Sequence, residues 1–384
     1  MPVLLFRTLF LFVFVFPSLL FSQDCADSSI DYSRVQEVGD SIYLTNLLSQ
    51  SDGLSTVCQL RKLSSKYFDQ FDYKQAILYS AALENIYQSN VPLDSNLILK
   101  NWEILSNSYH EMGLPDSVLV YGKKLLFALD QKIALEPKQL PRILEVVAMS
   151  YIDKLQYDLA MEWVDLIGYH LMAEGMEGSE LFAGMLYVKG VVRTMQDRIE
   201  DAAGLMDSIQ VWYTKFPKSN NKTLARAHTL NIRLNLFLGN DDGLVFHIDR
   251  AKNLLDQSSP MDTATYISYL LNKSYFHLIM GEVEEEKSST DRALKLSELF
   301  KEVPVLRSKV LLFAGMNHVD KDELELAARH GKKALNNFDS DKFESHSFHD
   351  YKGNIIEFLL IQSYNQQTRD STLDISKDIW SYNI

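Results

Sequence analysis

The sequence predicts an all-α chain, an α-solenoid of seven to eight helical hairpins. Two observations carry this. The first is the stretch Ile143–Ile167, in which Leu144, Val147, Ala148, Tyr151 and Ile152 form an apolar stripe at helical spacing. A break follows at Lys154–Gln156, and Tyr157, Ala160, Trp163, Val164 and Ile167 begin a second stripe. The second observation is that copies of this hairpin recur along nearly the whole chain. Steps of 42 residues from Ala160 land on Ala76, Val118, Ala202, Leu244 and Glu286, and a final step of 41 lands on Ala327.

Other columns hold the same register. Seven residues after the reference stand Leu83, Leu125, Ile167, Ile209, Ala251, Ala293 and Ala334. Twelve before it the residues are nearly all small: Ser64, Ser106, Ala148, Gly190, Ile232, Ser274 and Gly315. Five before it, where the chain must turn, stand Phe71, Gly113, Leu155, Asp197, Gly239, Gly281 and Asp322. Unrelated helices would not keep such columns aligned over this length. The composition agrees, since 46% hydrophobic residues over 384 positions supply a large core and only nine Pro interrupt it.

The columns resemble the tetratricopeptide repeat, with a bulky residue early in the first helix, a small one mid-helix and a Tyr three later. Gly at the turn, Tyr two beyond it and Ala three after that complete the family pattern. Leu144, Ala148, Tyr151, Tyr157 and Ala160 match it, as do Leu60, Ser64, Tyr67, Tyr73 and Ala76, and Trp102, Ser106, Tyr109 and Gly113. Later repeats depart: Asn235, His277 and His318 replace the mid-helix Tyr, and Glu286 replaces Ala. The usual unit is about 34 residues, so the longer period is more similar to the long-helix variety of kinesin light chain. The resemblance implies a right-handed superhelix over roughly residues 34–375 and a protein-binding role.

Taken in order, residues 1–23 read as a signal peptide. Arg7 gives the positive start, Thr8–Phe21 the apolar core and Ser22–Gln23 the cleavage zone. The apolar run is shorter than the ~20 residues a spanning helix needs, so the mature chain carries no integral membrane span. The Ser-Gln ending resembles exported proteins of certain Gram-negative bacteria, which implies a periplasmic or extracellular protein cleaved near Gln23. Residues 24–33 form a flexible tail, and 34–384 a single solenoid domain. Cys25 lacks the preceding pattern of a lipoprotein signal. Whether it bridges to Cys58 is left open, because a lone Cys inside a helix commonly serves as a small apolar residue.

Ser33–Leu48, with Val35, Val38, Ile42, Leu44 and Leu47, is expected to cap the array. Breakers fall between hairpins at Val91-Pro92, Glu136-Pro137, Phe216-Pro217, Ser259-Pro260 and Val303-Pro304. After repeat seven come a polar insert, Phe338–Tyr351, a helix Asn354–Tyr364 and a last helix Leu373–Ile384. The last carries Leu373, Ile375, Ile379, Trp380 and Ile384. It either caps its own repeat or provides a surface for self-association.

No constellation supports catalysis, a cofactor or a metal, and the expectation is a binding protein and not an enzyme. His346 and His349, with Glu344 and Asp350, are the best metal candidate, read as a polar loop for want of a second cluster. Gly239–Gly243 lacks the alternating ligands of a calcium loop and reads as a tight turn. Glu282–Glu286 reads as a solvated acidic run. The formal charge of −13 argues against nucleic acid, whose phosphates need a basic surface.

The family resemblance also implies an inner face lined by first-helix residues. Its offsets select Arg61 and Ser65, then Lys100, Glu103, Asn107 and His110, then Arg142, Glu145 and Met149. They continue with Tyr187 and Met195, then Arg226, Arg233 and Phe237, then Leu271, Tyr275 and Leu278, then Lys309, Leu312 and Met316. The early part is charged and the later part apolar; the competing reading is that the longer helices of a 42-residue unit pack more tightly and bury many of these positions. It does not reproduce the carboxylate clamp of chaperone-binding members. The implied role is an exported scaffold that holds a protein or peptide; the alternatives are a relative of the repeat-containing sensor half of bacterial regulators and, less favoured, a metal-dependent enzyme with its site at His346 and His349.

Overall fold

A computed structural model describes residues 40–49, 53–88, 95–130, 140–217, 221–258, 262–300, 304–319 and 323–337. The signal segment, the tail, the first part of the capping helix, the insert with His346 and His349, and both closing helices lie outside the described residues. Those described are helical, with no strand among them. A short helix α1 (Asp40–Leu48) precedes seven hairpins: α2 (Gly53–Asp69) with α3 (Tyr73–Gln88), α4 (Ser95–Glu111) with α5 (Pro115–Asp130), and α6 (Leu140–Asp153) with α7 (Tyr157–Ala173). Then come α8 (Glu180–Met195) with α9 (Ile199–Lys215), α10 (Lys222–Leu238) with α11 (Asp241–Gln257), α12 (Thr263–Ile279) with α13 (Val283–Ser297), and α14 (Pro304–Val319) with α15 (Leu324–Asn337). The second helices begin at steps of 42, and of 41 at the last.

The described residues group into two compact units. One runs to Glu111 and includes Ser117–Ile143; the other comprises Met112–Asp116 and the residues from Leu144 onward.

The turns show why the register holds. Each described member of the turn column has a left-handed backbone: Phe71 at φ 62°, Gly113 at 71°, Leu155 at 58°, Asp197 at 58°, Gly239 at 62° and Gly281 at 72°. One left-handed residue closes the first helix by turning its last carbonyls onto the next amides. At Leu155, for example, the Gln156 amide donates to the Tyr151 carbonyl at 2.9 Å. Acidic residues then open the second helices, as at Glu200 and Asp201 or Asp241 and Asp242, where they meet the positive end of the helix dipole. Asn240 adds a side-chain cap, accepting from the Gly243 amide at 3.2 Å, so Gly239–Gly243 is a turn as read.

A side chain in the left-handed region costs roughly 1–2 kcal/mol, against about 0.5–1 for the greater freedom glycine loses on folding. Leu155 is 46% exposed and has little packing to lose. Leu155→Gly should therefore raise stability by about 0.5–1 kcal/mol, read as a higher midpoint in thermal unfolding. A lower midpoint would contradict this account of the turn.

Packing follows the columns. The reference residues Ala76, Val118, Ala160, Ala202 and Ala327 are fully buried, as are Leu83, Leu125 and Ile167 of the column seven later. The small column faces position +4 of the returning helix. There the Ser64 and Ser80 hydroxyls hydrogen-bond, Ser274 and Thr290 do so at 2.7 Å, and Gly190 leaves room for Met206, whose methyl would lie 2.2 Å from a Cβ. Stacked rings cross the same hairpins: Tyr67 on Tyr79, Tyr109 on Tyr121, Tyr151 on Trp163 and His318 on His330. Leu44 and Leu47 of α1 join Leu60, Leu63, Tyr79 and Leu83 in one core cluster, as the capping expectation requires. Glu286 corrects the reading of a wholly solvated run. Glu282, Glu284 and Glu285 are exposed, but Glu286 is 1% exposed, with its carbonyl accepting from Ser274.

Candidate functional site

In the first unit, the first helices gather cations. Arg61 and Ser65 line an open recess of about 610 Å³ along α2, together with Lys62, Lys66 and Asp69. The side chains lie three and four apart, hence on one face of the helix. On α4, Glu103 is 8% exposed and accepts from Lys100 Nζ at 3.2 Å. Arg142, at the start of α6, reaches the other oxygen of the same carboxylate at 3.0 Å. Two cations thus share one anion, and the Arg142 side chain remains 58% exposed. Asn107 turns its amide inward to the Glu103 carbonyl at 2.7 Å, and His110 lies half-buried one turn further on.

Behind this face is a network the sequence reading missed. Glu84 of α3 accepts from Trp102 Nε1 at 3.0 Å and from Lys124 Nζ at 2.5 Å. Its members lie 18 and 40 residues apart, and only the second-helix column of the preceding repeat could have suggested them.

In the second unit the same columns are already satisfied from within. Arg226 reaches back two hairpins to Glu145 at 3.4 Å, and its guanidinium lies 4.2 Å from the Tyr187 ring centroid. The intervening column position is Gly184, where a Cβ would make an ordinary contact with Glu145 Oε2 at 3.7 Å. Burial works against the Arg226 charge, but Tyr187, Glu145 and Asp262 outweigh it and hold the pKa above its ordinary value. Burial likewise raises Asp262, but Lys222, the Thr265 hydrogen bonds and Arg226 bring it below the usual carboxylate range. This is a structural clamp between repeats.

The later, apolar part of the expected face is corrected. Leu271, Leu312 and Met316 are buried, because first helices of 16–17 residues abut their neighbours and cover these positions. Arg233, Tyr275, Leu278 and Lys309 are half-buried. Met195 and Phe237 are exposed, but at the last turn of α8 and α10, where they sit beside the inter-helix turn.

One further pair was not singled out in the sequence. His228 and His247, both buried, place their Nδ1 atoms 2.8 Å apart. One neutral ring must donate and the other accept. Burial, with His247 and Arg250 beside it, pushes His228 down to about 3, and burial also lowers His247. His228 borders a cavity of about 440 Å³ with Tyr213, Phe246 and Arg250. Among the described residues, no group of three or more His, Cys, Asp or Glu is placed to hold a metal ion, and no helix is long and apolar enough to cross a membrane.

The sequence matches no protein-family model and no curated relative. Solved structures do resemble it. A Rap protein complexed with competence and sporulation factor is 15% identical with a TM-score of 0.56, over 84% of this chain and 81% of that one. NprR in complex with its cognate peptide NprX is 11% identical with a TM-score of 0.48, over 83% and 96% of the two chains. A tetratricopeptide repeat protein from Parabacteroides merdae is 18% identical with a TM-score of 0.44, over 80% and 98%. The fold is of the tetratricopeptide type, an all-α helical-repeat solenoid.

Proposed function

We propose that this chain is an exported repeat scaffold that binds a protein or peptide through the first-helix face of its early hairpins. The observation that carries the reading is the excess cation at Glu103. One carboxylate cannot neutralise both Lys100 and Arg142, and the largely exposed Arg142 can bond a second anion. With the basic recess at Arg61 one hairpin earlier, the face suits an acidic side chain or a peptide carboxylate. That the similar Rap structure is complexed with competence and sporulation factor supports the reading. The leader-like residues 1–23 support export, as does Cys58. Cys58 is disulfide-bonded, a state that persists in oxidising compartments. The chain's other cysteine, Cys25, lies outside the described residues.

The test is capture of partner from the envelope fraction of the native host by a triple variant, Arg61→Glu, Lys100→Gln and Arg142→Gln. Neutral Gln is used beside Glu103 because a reversed charge would face that buried carboxylate. Removing both cations leaves the buried Glu103 carboxylate unpaired, which costs about 3–5 kcal/mol, so capture is read at a temperature where circular dichroism shows the variant folded, and there it should fall at least tenfold. Equal capture by the variant and the parent protein would place the site elsewhere. N-terminal sequencing of the same material should find a mature chain starting near Asp24, and an intact Met1 on a cytoplasmic protein would refute export.

A further inference from the structure

The apolar side chains at the turn edge of the second unit form two regular rows with an acidic neighbour. Met195, Phe237 and Ile279 stand one repeat apart at the last turns of α8, α10 and α12, and are 37%, 45% and 57% exposed. Leu238 and Met280, each the next residue along, are 42% and 54% exposed. Just past each turn, the first turn of the second helix presents exposed Glu200, Asp242 and Glu284, again one repeat apart. Arg198, the cation in the first of these turns, is taken by Asp201. In the three earlier hairpins the same apolar column is Asp69, Glu111 and Asp153, so the apolar row belongs to this part of the chain.

The spacing selects the occupant. Helices α8, α10 and α12 abut in sequence, and packed helix axes lie about 8–10 Å apart. Three residues of polyproline-II backbone rise about 9.3 Å and complete one turn. A chain in that conformation, laid across the helix ends, would bring every third side chain onto Met195, Phe237 and Ile279 in turn. Its next residues would form a second row with the same period, facing Glu200, Asp242 and Glu284. An acidic row takes cationic side chains.

We infer that this edge binds an extended, basic segment of a partner protein, with an apolar residue at every third position and Lys or Arg beside it. The site lies in the second unit and does not rest on the cationic face of the first, which would select the opposite charge.

The two exposed methionines of this edge, Met195 and Met280, report on it directly. With methionine methyls labelled in the mature protein, a nine-residue peptide of three Leu-Lys-Pro units should shift the Met195 and Met280 signals and leave that of buried Met206 in place. A Leu-Glu-Pro peptide should need at least tenfold higher concentration. The response should be lost in Phe237→Ser/Ile279→Ser and weakened at least tenfold in Glu200→Lys/Asp242→Lys/Glu284→Lys. It should survive the triple variant of the cationic face, so that either site can fail alone. Equal response to both peptides, no response, or a shift at Met149 in place of Met195 would overturn the inference. So would broadening of Met195 and Met280 with protein concentration alone, which would assign the edge to a second copy.

Discussion

Tyr79→Ala is expected to destabilise the first hairpin by about 3–5 kcal/mol, the range for emptying a buried aromatic site. Tyr79 is fully buried, stacks on Tyr67 with ring centroids 5.6 Å apart, and sits among Leu44, Leu47, Leu60, Leu63 and Leu83. Neighbouring helices cannot collapse into the space, because α1, α2 and α3 each contribute backbone-fixed leucines to its wall. A repeat protein need not unfold in one step, so the effect is best read by hydrogen exchange. Amides of α2 and α3 should exchange about a hundred- to several-thousandfold faster, with α10 unaffected. Tyr79→Phe keeps the ring and should cost only about 1 kcal/mol. A change of under tenfold for the Ala variant would show that the stacked pair is not part of the core.

The second large effect is acid sensitivity centred on His228 and His247. In the folded chain His228 takes up a proton only near pH 3, against an ordinary value of 6.5 in the unfolded chain. Between those values the unfolded chain binds more protons, so stability falls as pH falls. The contribution is fully present above about pH 6.5 and is lost progressively towards pH 3. His247 and His330, also lowered by burial, act in the same direction. The loss for the pair is on the order of a few kcal/mol, and carboxylates add their own effect lower in the range. His228→Leu/His247→Leu should therefore flatten the slope of unfolding free energy between pH 6.5 and 4.5, whatever it does to stability at pH 7. An unchanged slope would mean that the buried pair is protonated in the native state.

Much of this architecture was legible because a repeat writes the same packing problem many times. Ala76, Ala160 and Ala202 recur where helices cross, and the turn column holds its register even where the residue is Phe71 or Leu155, neither of which signals a left-handed turn by its own chemistry. What could not be read were partners on the returning helix. Tyr67, Tyr109 and Tyr151 were visible as a column, but Tyr79, Tyr121 and Trp163 gain meaning only once the hairpin closes. The Glu84–Trp102–Lys124 network depends on three helices meeting.

The candidate face divides for a similar reason. The family offsets put Lys100, Glu103 and Arg142 on one expected face, but that both cations share the Glu103 carboxylate became visible only in the structure. Leu271, Leu312 and Met316 looked equally regular, but an apolar side chain is as suited to a helix contact as to a binding surface. Only the packing of the long first helices decided between the two. The exposed apolar residues lie at the helix ends, at Phe237, which the family offsets had selected, and at Ile279, which they had not.

The central claim is that the early first helices hold the partner, and a hydrogen-exchange footprint of the mature protein with its captured partner tests it most directly. Helices α2 and α4 and the start of α6 around Arg142 should gain protection, while α3 and α5 exchange as in the free protein. Protection confined to α3 and α5, with α2 and α4 unchanged, would contradict it.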